Sequence, residues 1–466
     1  MAIRFKCNGK YAYETHNVWN KEKKKYETKW TYLGIVDEDG KYRKVYSNNK
    51  VKQEKLILTY GDSFILNEYC VKSNLKSLLN NIFGNHLSDS ILALTFFKLL
   101  EHSAMQHAET WLEGNYVNIL FPDVDLRTQR ISELLSKIGD ERLIRNFFKN
   151  YLEKVYSKNG IIVDSTGLPN NISFPLSALG YHGGSVEKET RLLMVIDSNT
   201  AQPLYYRYMT GNIVDVSTLK TTIKELTAMG VNVEYSLIDA GYYSRDNIKH
   251  LYENHISFLT RLPSGRTLFT ELINQTISVL EKPTNAVVYN DRVLYIQQVN
   301  IKLYNEYPAF AYVCCDIARK AEETIKDLKE AKDDKLNEEQ IAQILKHNGI
   351  FVLLSSKDLS TDKVLPLYYL RQKVEDVFKI SKSYTHILPL RIHSEQTLRG
   401  MLFLNFLSIV IYKNLSDLLS SNLESILKQM RNLHCKVFED NSIITSEPNK
   451  KQKVIMRLVY NTVGMF

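Results

Sequence analysis

Cysteine is scarce in this chain and follows no pattern. The five residues, Cys7, Cys70, Cys314, Cys315 and Cys435, include one adjacent pair and no C-x-x-C spacing. That arrangement speaks against a zinc centre or a disulfide framework and suits reduced thiols. The opening "MAIRFKCNGKYAYE" lacks the apolar segment of a signal peptide. The longest apolar stretch, "GMLFLNFLSIVIY" at 400–412, is interrupted by Asn405 and stops short of the roughly 20 residues that span a bilayer. No internal repeat or low-complexity tract is evident. These absences lead to the expectation of a soluble, cytoplasmic protein with no membrane partner.

What is present is an ordinary globular composition. With 466 residues, 44% hydrophobic and 24% charged, the chain has room for two to four domains with a real core. The net charge of +8 permits a polyanionic partner but equally serves solubility. Residues 1–60 alternate aromatic and polar side chains around turn-like "DEDGK" and "NNK", which predicts a small β-rich region. Its "NKEKKKYETK" run either grips phosphates or forms a solvated hairpin tip. Residues 61–156 change to a helical pattern, several segments opening on Ser, Asp or Asn caps.

Between 157 and 262, "GIIVDST", "RLLMVIDSNT", "PLYYRYM" and "VEYSLIDAG" read as strands, with helices "DVSTLKTTIKELTAMG" before the last and "RDNIKHLYENH" after it. That order describes a mixed α/β core. A further strand, "GIFVLLSS", and a helix follow within 349–414. The intervening 263–348, read as mainly β with one charged, solvated helix, is expected to be an insertion into that core. Residues 415–466 are expected to form a helical tail, a candidate for dimerisation.

Four acids directly follow apolar runs: Asp164, Asp197, Asp239 and Asp316. A strand end is a rigid mount for a metal ligand, and Mg²⁺ prefers oxygen donors. Asp also favours turns, so one such residue alone carries little weight. The turn-rich "DSNTAQP" predicts that Asp197 joins two antiparallel strands and faces solvent. Asp316 precedes a helix, where capping suffices. Asp164 and Asp239 remain on the α/β core.

The stretch "YYLRQKVEDVFKISK" at 368–382 supplies a third acid. On one continuous helix, Tyr368, Arg371, Glu375 and Lys382 would share a polar stripe bordering the buried face. By itself this pattern could also be an amphipathic helix with an Arg371/Glu375 pair. Joined to the strand-end acids, it resembles the DDE insertion-sequence transposases of the YREK subgroup. Their signature, Tyr, two residues, Arg, three, Glu, six, Lys, is matched without a gap. The likeness also takes in "IIVDST", "TGNIVD", "LIDAGYYS" and "LPLRIHSEQTLRGMLFLNFL", over roughly 160–412.

The resemblance implies an RNase H-like catalytic core interrupted by a largely β insertion. It implies that Asp164, Asp239 and Glu375 are catalytic and hold two Mg²⁺ or Mn²⁺ ions, and that Tyr368, Arg371 and Lys382 bind DNA phosphates. The implied activity is metal-dependent cleavage at transposon ends followed by strand transfer, with cut-and-paste movement. Partners would be double-stranded DNA, as terminal inverted repeats and target, with the β-rich residues 1–60 contacting DNA and the helical 61–156 binding the transposon ends, and a second copy of the chain in a synaptic homodimer, on a nucleoid-associated protein. Relatives that use a hairpin intermediate place an aromatic residue, commonly Trp, under a flipped base. Trp19, Trp30 and Trp111 all precede the core, leaving rings such as Tyr242 and Tyr243. Two alternatives are a catalytically silent, transposase-derived DNA-binding protein and an RNase H-like nuclease without strand transfer.

Overall fold

The computed structural model describes residues 2–7, 9–21, 23–37, 40–42, 53–170, 174–182, 185–213, 215–333, 337–388, 390, 392–462 and 466. The "NNK" turn expected at 48–50 lies outside them. The chain divides into two compact units, residues 1–56 with 436–444, and residues 57–435 with 445–466.

In the first unit, β1 (Ala2–Lys6), β2 (Tyr11–Asn20) and β3 (Lys25–Ile35) form an antiparallel sheet in that order. Alternating apolar and polar residues of the kind that build half-buried strands account for it. The strand β4 (Glu54–Thr59) follows.

The second unit is built on a ten-stranded sheet. Its strands are β5 (Ile161–Pro169), β6 (Ala178–His182), β7 (Ser185–Asp197), β8 (Pro203–Thr210), β9 (Tyr235–Ile238), β10 (Ser257–Leu262), β11 (Ala286–Tyr289), β12 (Arg292–Leu303), β13 (Tyr307–Asp316) and β14 (Ile350–Ser355). At its centre β8, β7 and β5 pair antiparallel, and β5, β9 and β10 pair parallel. The apolar stretches of β5, β9, β10 and β14 are buried, as strands covered on both faces must be.

Several expectations are corrected by this sheet. The strand β10 is absent from the sequence reading, because "SFLTRL" is short and follows a helix without a strong turn signal. Residues 263–348 are not mainly β. They hold β11–β13 and also the helices Thr267–Leu280, Ile317–Asp333 and Glu338–Leu345. Burial of Phe269, Leu272, Ile273, Thr276 and Leu280 on one face stabilises the first of these, overriding its β-branched content. Through β14, strands β11–β13 extend the central sheet. The carboxyl-terminal stretch is also not purely helical, since β15 (His434–Phe438) and β16 (Ile443–Thr445) separate the helices Leu423–Arg431 and Lys450–Tyr460.

Asp197 corrects a further expectation. It does end β7 at the turn into β8, but its carboxylate is buried, not solvent-facing. It accepts hydrogen bonds from the backbone N–H groups of Ser157, Asn199 and Thr200 and from the Thr200 hydroxyl. Asp316 caps its helix by accepting from the N–H groups of Ala318 and Arg319, and pairs with Arg292 at 2.8 Å.

The apolar run at 400–412 lies within the helix Glu395–Leu418. Its length and composition alone would allow a membrane span, yet 72% of its most apolar window is buried inside the protein. Phe403 meets Phe83 and Phe147, while Phe406 meets Phe148, Tyr151 and Tyr206. The helix thus joins the amino-terminal helices to β8. Gly400 permits the close approach, because a Cβ there would stand 2.0 Å from the Leu135 carbonyl oxygen on the neighbouring helix Thr128–Ile138.

One buried charge works against this packing. Lys98, on the helix Asn85–Leu100, is only 5% exposed, and loss of hydration lowers its pKa to about 8. Below pH 8 the folded state must carry a poorly hydrated ammonium. Between about 8 and the ordinary value of 10.5 the unfolded chain binds more protons, so stability contributed by this group rises with pH. Lys98→Met should therefore stabilise the protein at pH 7 by up to roughly 3 kcal/mol, and the gain should shrink towards pH 10.5. Urea unfolding of both proteins across that range measures the difference.

Candidate functional site

The central register brings two acids together. Val163 on β5 lies opposite Ile238 on the parallel β9. One step further come Asp164 and Asp239, where the parallel pairing stops. Asp239 directly follows β9, but Asp164 does not end its strand as expected, since β5 runs on to Pro169 against β7. Residues two apart on a strand share a face, so Thr166 projects beside Asp164.

The signature segment crosses β5, but not as the single helix expected. The helix Thr361–Tyr369, with Pro366 inside, gives way at Leu370 and Arg371 to a second helix, Gln372–Lys379. Tight i to i+3 bonds from Leu370 N–H to Leu367 and from Arg371 N–H to Tyr368 form the join. A π-turn, Ile380–Tyr384, then carries Lys382. The wheel that assumed one regular helix therefore misplaces the stripe: Tyr368 is buried, whereas the Glu375 side chain is 56% exposed.

The join aims Arg371 at all three acids. Its Nη1 lies 2.6 Å from Asp239 Oδ1 and 3.7 Å from Asp164 Oδ2, and its Nη2 lies 3.4 Å from Glu375 Oε1. The Arg371 side chain is only 21% exposed. Burial disfavours its charge, but Asp239, Tyr368, Asp164 and Glu375 together outweigh that effect and raise its pKa. The Tyr368 ring lies 5.9 Å from the guanidinium carbon. Burial raises the Tyr368 pKa, with Arg371 and Arg261 acting in the opposite direction.

Lys382 donates to Thr166 Oγ1 at 2.6 Å. Burial lowers its pKa, against the pull of Glu189. Asn405, the residue that interrupts the apolar run, is buried and holds the π-turn. It donates to Ser381 Oγ and accepts from Thr385 Oγ1. A π-turn interrupts regular helical bonding, so these contacts fix the backbone on both sides of Lys382.

Tyr242 and Tyr243 are both buried, and Tyr243 stacks on Tyr304 at 6.1 Å. Neither presents a free ring face. Two charged groups escaped the sequence reading. Arg261 lies on the unpredicted β10 and acts on Tyr368. Glu189 on β7 is buried near Lys382, in space left by Gly167 and Gly180, where a Cβ would collide with its carboxylate. A charge within a strand facing two glycines was the available signal.

Carboxylate oxygens are the donors a hard divalent cation prefers, and one organic cation already sits among them, so the donor chemistry fits. Among the described residues, no three His, Cys, Asp or Glu side chains stand close enough together to hold an ion in their present positions. The guanidinium occupies the centre of the group.

This is a mixed α/β protein with two acids side by side on adjacent parallel strands, Asp164 within β5 and Asp239 just past β9. A family profile described as "Transposase DDE domain" matches residues 156–411, more than half of the sequence, and the chain belongs to that transposase family. No curated protein matches it. Among solved structures, a chain from "Cryo-EM structure of piggyBac transposase synaptic complex with hairpin DNA (SNHP)" is similar at a TM-score of 0.43 and 12% identity, over 85% of this chain and 77% of that one.

The Asn405 clamp is open to test. Asn405→Leu strands the buried Ser381 hydroxyl, while Thr385 Oγ1 keeps the Ser381 carbonyl as its acceptor, and should cost about 1–3 kcal/mol in urea unfolding.

Proposed function

We propose that this transposase cleaves transposon ends and joins them to target DNA, with Asp164, Asp239 and Glu375 as its catalytic acids. The observation that carries the reading is their convergence on one guanidinium from β5, β9 and the signature helix. The strand order β8-β7-β5-β9-β10, three antiparallel and then parallel, supports an RNase H-like core, with 263–348 as its insertion. The unbroken Tyr368, Arg371, Glu375 and Lys382 spacing supports the YREK subgroup. Two Mg²⁺ or Mn²⁺ ions, held by the three acids, would supply activation of the attacking oxygen and stabilisation of the leaving one.

The chain's own residues do the rest. Arg371 neutralises the acids while no ion is bound, and on turning outwards it can grip a DNA phosphate. Tyr368 shores up the guanidinium from below and is positioned to hold a phosphate by its hydroxyl only if that turn exposes it. Lys382, held by Thr166, adds a phosphate contact that sets the register of the DNA. Water attacks phosphorus at the transposon end and the transposon's 3′-oxygen leaves as a hydroxyl. Once the opposite strand is also cut, that hydroxyl attacks a phosphodiester of the target, whose own 3′-oxygen leaves. Two ends must meet for cut-and-paste movement, which calls for a homodimer on terminal inverted repeats.

Incubation with the inverted repeats flanking the coding region and Mg²⁺ or Mn²⁺ tests the reading. Cleaved ends that join a plasmid support it. Binding without cutting favours the silent DNA-binding alternative, and cutting without joining favours a nuclease. Asp164→Asn, Asp239→Asn and Glu375→Gln should each lower cleavage by a factor on the order of 10³ or more while leaving much of the DNA affinity. Full activity in one variant removes that residue from the site. Lys382→Ala should lower the slope of log affinity against log salt by about one unit; an unchanged slope in a binding titration removes the phosphate contact.

A further inference from the structure

The first unit carries most of the chain's charge imbalance. Residues 1–56 and 436–444 contain fifteen Lys and Arg against nine Asp and Glu, which is +6 of the total +8. The pairing register also sorts its aromatic residues. Tyr13 faces Tyr32, Thr15 faces Trp30, and Trp19 faces Tyr26 across β2 and β3, while Arg4 of β1 faces Tyr13. One face of the sheet therefore gathers two Trp, several Tyr and two cations.

That face is open. Trp19 is 48% exposed, Tyr26 69%, Trp30 40% and Tyr32 45%, although burying such rings is strongly favourable. The rings form two stations. Trp19 and Tyr26 lie 5.0 Å apart, and Tyr13 lies 6.0 Å from Trp30 and 5.3 Å from Tyr32. Six residues of strand separate Tyr13 from Trp19, about 20 Å. Lys6 Nζ sits 4.0 Å from the Trp30 ring centre and the Arg4 guanidinium 6.0 Å from it. Neither cation has a carboxylate partner among the described residues.

We infer that this face binds single-stranded DNA, its rings stacking on unpaired bases and Arg4 and Lys6 meeting the backbone phosphates. Duplex DNA hides its base faces in the stack, so flat rings on a sheet have no access to them. A single strand offers both a π-face and a phosphate at every nucleotide, and tolerates any base sequence. The 20 Å between stations lies within the run of roughly 4–16 nucleotides that small single-strand sites cover. The charge excess selects a polyanion over an apolar partner. The inference deepens the proposed DNA chemistry by naming a second nucleic-acid surface outside the acid site, and it is tested without cleavage.

The full chain, in EDTA, is titrated into a fluorescein-labelled 20-nucleotide oligo(dT) and into a duplex of equal length, following anisotropy and tryptophan emission. Oligo(dT) should quench tryptophan emission. Trp30→Ala and Trp19→Ala should each weaken oligo(dT) binding on the order of tenfold with an unchanged far-ultraviolet dichroism spectrum, and Trp30→Phe should retain most of the affinity. Replacing Arg4 and Lys6 by Gln should lower the salt slope by about 1.4. Asp164→Asn should bind oligo(dT) like the unaltered protein, which separates this surface from the acid site.

Unchanged affinity in Trp30→Ala overturns the proposal, as does stronger binding to oligo(U). So does self-association in sedimentation that Trp19→Ala abolishes, since a second copy would then cover the face. If inverted repeats are never cleaved while oligo(dT) binding follows this pattern, only the catalytic reading falls.

Discussion

Three carboxylates cannot share a partly buried space without a cation to balance them. In this protein Arg371 supplies that balance, touching Asp164, Asp239 and Glu375 with one planar group. An isolated buried charge costs several kcal/mol in lost hydration, so the acids and the guanidinium stabilise one another's presence. The same arrangement keeps the acids close while leaving their ligand capacity unused. A planar fork can be withdrawn as a unit, which suits a position that must serve first protein acids and then phosphate.

The rest of the second unit makes that meeting possible. Parallel pairing of β5 and β9 sets Asp164 beside Asp239, and the register is held because Ile162, Val163, Leu237 and Ile238 are all buried, so a one-residue slip would send each to the opposite face and undo its close packing. The tight join at Leu370 and Arg371 turns the guanidinium towards them. Further along, the π-turn delivers Lys382 to Thr166, and Asn405 reaches from the core helix to hold that turn. A polar residue in an apolar run thus fixes backbone geometry at the site. The helix that carries it also packs the amino-terminal helices against β8, coupling site geometry to core packing.

The two units divide the labour of charge differently. In the second, positive side chains near the acids are held by partners, as Arg371 is by carboxylates and Lys382 by Thr166. In the first, excess positive charge and uncovered rings lie on an open sheet. The first arrangement favours a fixed geometry, as bond making requires, and the second favours adaptable contact along a flexible polyanion.

Local pattern was enough to identify the strands bearing Asp164 and Asp239, the spacing of Tyr368, Arg371, Glu375 and Lys382, and the mixed α/β class, because alternation, apolar runs and helical period are written in neighbouring residues. The family follows from those same ordered features. Other properties depended on contacts between distant segments. Whether Asp197 faces water was decided by Ser157 and Thr200 closing over it. The helical character of 267–280 was decided by the surface that buries its apolar face. The break at Leu370 and the π-turn at Ile380–Tyr384 escaped a wheel that assumes constant rotation. Convergence of the three acids on Arg371, and the sorting of Trp19, Tyr26, Trp30 and Tyr32 onto one open face, belong to tertiary structure alone, since strand register and helix placement set distances that chain order leaves free.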